Sequence, residues 1–203
     1  MSAIPQRSSL ISPEEYLAGE LNSQTKHEYL GGIVYAMAGA RNVHNRIAGN
    51  IYLALGNRLL GHKCQPFNSD TKVHVIMPSG QIRFYYPDVQ VVCEENPLEE
   101  TFQDRPVVVV EVLSPSTRRT DEFEKLEAYT TIPTLETYFL VDSNRWRVTV
   151  HQRSPLGFER TVLQGESDNV RLPSLNLEVP ISEFYRNATL LPPSEEEIME
   201  YGS

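Results

Sequence analysis

The chain has 203 residues, a hydrophobic content of 40% and a formal net charge of -9, which suits one ordinary globular core and leaves too little for a second full domain. No window nears the roughly 18 apolar residues of a membrane span, and Met1 to Arg7 lack the apolar stretch of a signal peptide, so the expected location is cytoplasmic and no membrane partner is expected. The acidic balance opposes a broad phosphate-binding surface, although Arg118 and Arg119, directly after the Glu111 run, set a local charge that can differ in sign from the net charge; the ordinary reading of both is a solvated surface pair.

Ser12-Pro13-Glu14-Glu15 reads as a helix start, with Ser12 as N-cap, Pro13 at the first helical position and Glu15 closing a capping box; the helix runs to about Gly19. Lys26 to Leu30 and Ile33 to Met37 read as strands around Gly31-Gly32, a strong hairpin signal. Val43, Ile47, Ile51, Leu55 and Leu59 recur every fourth residue and predict a long helix, ending near Gly61, that packs on a sheet. Cys64 and Cys93 lack metal-ligand spacing and are read as two thiols in a reducing compartment, with no role assigned.

Strand-like patterns follow from Asp70 to Met77, in a run through Tyr85 after the Pro78-Ser79-Gly80 turn, and from Pro87 to Val92. Val107 to Leu113 is apolar except for Glu111, as expected of a central strand covered on both faces. Thr117 is placed to cap a helix through about Thr130, on which Phe123, Leu126 and Tyr129 define an apolar sector and Asp121 and Lys125 share its flank. Glu136 to Val141, Arg147 to Arg153 and Phe158 to Leu163 read as strands, and Ile181 to Tyr185 as a last short helix. The reading gives a single domain over residues 12–186, an N-terminal extension over 1–11 and an acidic tail over 187–203 containing Glu195, Glu196, Glu197 and Glu200.

Two carboxylates stand where apolar residues belong: Asp88 in Tyr86-Pro87-Asp88-Val89, and Glu111 in the central run. A charge inside a buried strand is costly unless a cation lies against it, so the pair points to a divalent metal. Side chains alternate along a strand, so Leu113 shares the face of Glu111 and Val112 points away; the Val112 carbonyl is then a further candidate oxygen ligand.

This arrangement resembles the P-D…(D/E)-x-K signature of restriction-endonuclease-like nucleases. The closer resemblance is to the bacterial family of "putative restriction endonucleases" abundant in cyanobacteria. It rests on Tyr29-Leu30-Gly31-Gly32, on Glu111-Val112-Leu113-Ser114-Pro115-Ser116-Thr117 with Asp121 and Lys125, and on Tyr138-Phe139-Leu140-Val141-Asp142, and covers roughly residues 12–186. The superfamily's lysine position, two after Glu111, is Leu113 here; in the closer family the lysine has moved to the next helix, which the resemblance equates with Lys125.

The resemblance implies an α/β fold: a restriction-endonuclease-like mixed β-sheet flanked by helices, with an N-terminal hairpin and additional antiparallel C-terminal strands. It also implies a DNA endonuclease using Mg²⁺, with Mn²⁺ as substitute, and a homodimer. Asp88 and Glu111, with the Val112 carbonyl, are the expected metal ligands. Lys125 would stabilise the phosphate or orient water, Glu28 would hold a second ion or water, and His44 and Asp121 would lie nearby.

Structural alternatives stand beside each assignment: Asp88 as a turn residue, Glu111 in an ion pair with Arg83 or Lys125, Asp121–Lys125 as a plain helical pair, and Glu28 paired with Lys26. Two other functions compete, a catalytically inactive nuclease-like DNA-binding or interaction module and an unrelated small-molecule α/β protein. No glycine-rich phosphate loop or nucleophile elbow supports the latter.

Overall fold

The computed structural model describes residues 10–114 and 117–190. The first helix, α1 (Pro13–Glu20), begins with the expected box: Ser12 Oγ accepts from the Glu15 amide while the Glu15 carboxylate accepts from the Ser12 amide. The hairpin of β1 (His27–Leu30) and β2 (Ile33–Ala36) turns through Gly31 and Gly32 at φ 57° and 104°. Two successive positive φ values call for glycine, and a Cβ on Gly31 would run into the Gln81 side chain.

The long helix α2 (Asn42–Arg58) buries Ile47, Ile51 and Leu55, the stripe read from the sequence. It lies on a six-stranded sheet. That sheet's order is β11 (Gly157–Leu163), β10 (Val148–Ser154), β9 (Thr137–Asp142), β8 (Pro106–Leu113), β6 (Val89–Val92) and β3 (Gln65–Asn68). Alternation along β8 divides its side chains between two cores. Val108, Val110 and Val112 pack with α2, whereas Val109 and Leu113 join Tyr129, Tyr138 and Tyr85 on the other side, the side that also carries Glu111.

β8 and β9 run parallel, so the chain must cross over between them. The crossover is a widened, π-helical turn (Thr120–Lys125) continuing into α3 (Leu126–Thr130), and α3 lies over the Glu111 face. A second sheet, in the order β2, β1, β5 (Ile82–Tyr85), β4 (Lys72–Ile76) and β7 (Phe102–Gln103), shares that core through Val73, Val75 and Tyr85. The hairpin β12 (Asn169–Leu172) and β13 (Leu177–Pro180), with α4 (Ile181–Phe184), closes the α2 side. There Arg58 clamps the Glu183 carboxylate through two nitrogens at 2.9 and 2.6 Å.

Three expectations need correction. Cys64 and Cys93 are not thiols: they form a disulfide. Gln65 faces Val92 in the antiparallel β3–β6 pair, so the next residues out stand opposite one another, a proximity that a sequence separation of 29 conceals. Phe123 does not belong to the apolar sector but is 68% exposed, because the π-helical turn rotates Asp121 and Lys125 inward in its place. Thr117 turns its hydroxyl back to the Ser114 amide and side chain instead of capping forward. The acidic stretch of the tail at 195–200 lies outside the described residues.

Candidate active site

β6 and β8 are antiparallel with Val89 facing Val110 and Gln90 facing Val109. One step further sets Asp88 opposite Glu111, so the two carboxylates leave the sheet on one face. Asp88 is delivered by Tyr86-Pro87, and that turn is anchored: the Tyr86 hydroxyl donates to Glu20 at 3.0 Å and receives from Lys72 at 3.2 Å. Asp88 Oδ2 accepts from the Val112 amide at 2.7 Å and stands 3.3 Å from His44 Nε2 on the first turn of α2. Val112 therefore meets Asp88 through its own main chain.

Lys125 gathers the remaining acids. Its Nζ lies 3.1 Å from Glu28 on β1, 3.1 Å from Glu111 on β8 and 3.2 Å from Asp121 on its own turn. Glu28 is thus a partner of Lys125 and not of Lys26, which pairs with Asp70 at 2.6 Å. Arg83, the other partner considered for Glu111, lies against Tyr85 and Glu124. Sequence reasoning placed Glu28, Asp88, Glu111, Asp121, Lys125 and His44 near one another, and the fold brings all six together. It missed Tyr129, whose hydroxyl donates to Glu111 Oε1 at 3.0 Å. The available signal was spacing: Asp121, Lys125 and Tyr129 recur every fourth residue along the crossover helix.

The cluster is out of electrical balance. Burial, together with the charges of Asp121, Asp88 and Glu28, raises the Glu111 carboxyl well above the ordinary range against the pull of Lys125. Burial likewise raises Asp121 despite Lys125. Burial works against the Lys125 charge, but Glu111, Asp121 and Glu28 outweigh it and hold the ammonium well above its usual value. Burial also opposes the charge on His44, and the hydrogen bond and charge of Asp88 overcome it and raise the imidazole. Asp121 Oδ1 is buried at ion-pair distance from Nζ but without a hydrogen bond from any described residue.

Would these residues suit a metal ion? Every acidic donor is a carboxylate oxygen, the chemistry of a hard cation such as Mg²⁺, which needs only one or two carboxylates beside water and phosphate. Among the described residues no group of three or more His, Cys, Asp or Glu side chains is already arranged to hold an ion, and Lys125 stands among the carboxylates. The donor set fits a sparsely ligated Mg²⁺ and does not resemble a closed zinc or calcium cage.

A mixed sheet whose central strand carries the carboxylate, opposed by a second acid before the neighbouring strand, defines a nuclease-like α/β fold. A crystallised chain from Anabaena variabilis ATCC 29413, described as a "putative nuclease belonging to DUF820", shares it with a TM-score of 0.69; the likeness covers 89% of this chain and 98% of that one at 17% identity. The chain belongs to the Uma2 family, "Putative restriction endonuclease", whose model matches residues 13–182. Two relatives come from Synechocystis sp. (strain ATCC 27184 / PCC 6803 / Kazusa). The uncharacterized protein slr1290 is 34% identical over 177 residues, 87% of this chain and 92% of its own length. The uncharacterized protein sll1609 is 31% identical over 147 residues, 71% and 81% respectively. Among the described residues no helix is long and apolar enough to cross a membrane.

Proposed function

We propose that this protein is a metal-dependent endonuclease that hydrolyses phosphodiester bonds of DNA, with Mg²⁺ as its ion and Mn²⁺ as a substitute. The observation that carries the reading is the surplus of buried negative charge: Glu28, Glu111 and Asp121 converge on one ammonium, with the charge of Asp88 close enough to raise Glu111. Carboxylates crowded out of water without matching cations are costly, and sites that bind a cation are where such an excess is useful.

Asp88 and Glu111 would hold the ion, with Glu28 beside them and the Val112 carbonyl as a further oxygen. When bound, the ion supplies an activated water and neutralises charge building on the phosphate. Lys125 keeps its proton because three carboxylates surround it, so it is unsuited to act as a general base. Its work is electrostatic: it stabilises the phosphate oxygens and aligns the attacking water. His44 orients Asp88 from the α2 side through the 3.3 Å contact.

The test is cleavage of duplex, single-stranded and branched DNA with Mg²⁺ or Mn²⁺, comparing the native chain, Glu111→Ala and native chain with chelator. Cleavage abolished in both controls supports the reading. An intact substrate under every condition, with no metal uptake in a titration, replaces it with the inactive DNA-binding module.

A further inference from the structure

Glu111 is held by two donors that end on the same atom. Lys125 Nζ and the Tyr129 hydroxyl reach Oε1 at 3.1 and 3.0 Å, and both come from the crossover helix. Oε2 receives neither. Tyr129 is fully buried, with its ring edge-on to Tyr85 at 5.4 Å and to Tyr138 at 5.2 Å. Those two neighbours are themselves fastened: the Tyr85 hydroxyl donates to Glu124 at 3.1 Å, and the Tyr138 hydroxyl to the Asp121 carbonyl at 2.9 Å. The Tyr129 ring therefore has one orientation, and its hydroxyl one partner among the described residues.

A buried tyrosine needs a hydrogen-bond partner, and a main-chain carbonyl usually suffices. Ending instead on a carboxylate surrounded by other acids adds a neutral donor where a second cation would compete with a metal. We propose that Tyr129 is a positioning residue for Glu111: with Lys125 it fixes Oε1, and so keeps the carboxylate turned with Oε2 available to a divalent cation. Lys125 alone, shared among three acids, has no reason to favour that rotamer. The hydroxyl breaks the tie because it hydrogen-bonds Glu111 and no other acid among the described residues. The inference rests on the metal-dependent reading above.

The experiment is Mn²⁺ titration by calorimetry, with thermal unfolding in chelator, on the full chain carrying Tyr129→Phe. The control is Tyr185→Phe, which loses a buried hydroxyl that accepts from the Arg147 amide and has the Asp142, Arg145 and Arg147 carbonyls within hydrogen-bond reach of its proton, away from Glu111. Tyr129→Phe is expected to weaken Mn²⁺ binding about tenfold, the scale of losing a partner that orients a metal ligand. Tyr185→Phe is expected to bind as the native chain does. Equal Mn²⁺ affinity in native and Tyr129→Phe chains overturns the role of Tyr129 while leaving the metal reading intact. No Mn²⁺ uptake by the native chain removes the metal reading itself and this inference with it.

Discussion

Replacing Lys125 by Met tests the charge argument directly. The variant keeps the length and much of the volume of the side chain but removes an ammonium 3.1, 3.1 and 3.2 Å from three carboxylates. At these distances and an effective dielectric near 20, each attraction is about 5 kcal/mol before desolvation is counted. Breaking a buried pair costs about 3–5 kcal/mol net, and the lower end applies here because Glu111 can take up a proton instead of remaining charged.

A loss of about 3 kcal/mol corresponds to a Tm lower by about 6–12 °C for a domain of this size. The sign with pH follows from the raised Lys125 value. Its stabilisation is complete below the ordinary lysine value of about 10.4 and fades only as pH climbs through the higher folded one, so at pH 7.5 it is fully present to be lost. The variant's deficit should shrink toward pH 5, because burial already raises the Glu111 and Asp121 carboxyls and favours their neutral forms. Mn²⁺ should raise the variant's Tm more than the native one, since the ion then stands in for the missing ammonium among Glu28, Glu111 and Asp121. Differential scanning calorimetry with chelator and with Mn²⁺ at both pH values reads all of this. A metal-free variant melting within about 2 °C of the native chain at pH 7.5 would refute the idea that Lys125 is the counterion of the cluster.

The raised Glu111 carboxyl predicts that Mn²⁺ affinity falls with acidification at a midpoint above the ordinary glutamate value of about 4.3. Because its folded pKa is raised, the neutral form is favoured in the fold, and stability is lost as pH rises from the unfolded value to the folded one. A pH series of Mn²⁺ titrations in which the native midpoint sits at the ordinary value contradicts this assignment. The Cys64–Cys93 disulfide predicts that the chain, purified without reductant and denatured, offers no thiol to an alkylating reagent. Closing a loop of 29 residues should also make Cys64→Ser less stable by about 3–4 kcal/mol on the chain-entropy model; two reactive thiols in the denatured chain would count against the bond.

Elements with a periodic or turn signature were legible in the sequence, and the others were not. The α2 stripe, the Gly31-Gly32 hairpin and the apolar run of β8 each express burial directly in residue spacing. β3 carries no continuous apolar face, with Gln65 and Asn68 exposed, β12 turns only Val170 and Leu172 inward, an alternation too short to stand out, and β7 is only two residues long. Their existence is decided by partners far along the chain, which a local pattern does not record. The site was more legible than the fold around it, because a carboxylate in an apolar run is conspicuous. What stayed hidden was the widened turn at Thr120–Lys125: ordinary helical spacing put Phe123 inside, whereas the turn exposes it and buries Asp121.

The order in which the cluster's members occur along the chain has a consequence for biosynthesis. Glu28 and Asp88 leave the ribosome before Glu111 and Lys125, and β8 gains its parallel neighbour only when Thr137–Asp142 has followed. Lys125 ties the strand bearing Glu28, in one sheet, to the strand bearing Glu111, in the other. A nascent or prematurely terminated chain that stops short of β9 therefore holds some of the acids but not the joined sheets that bring them together. The cluster is therefore assembled only after β9, about two thirds of the way along the chain, has been made.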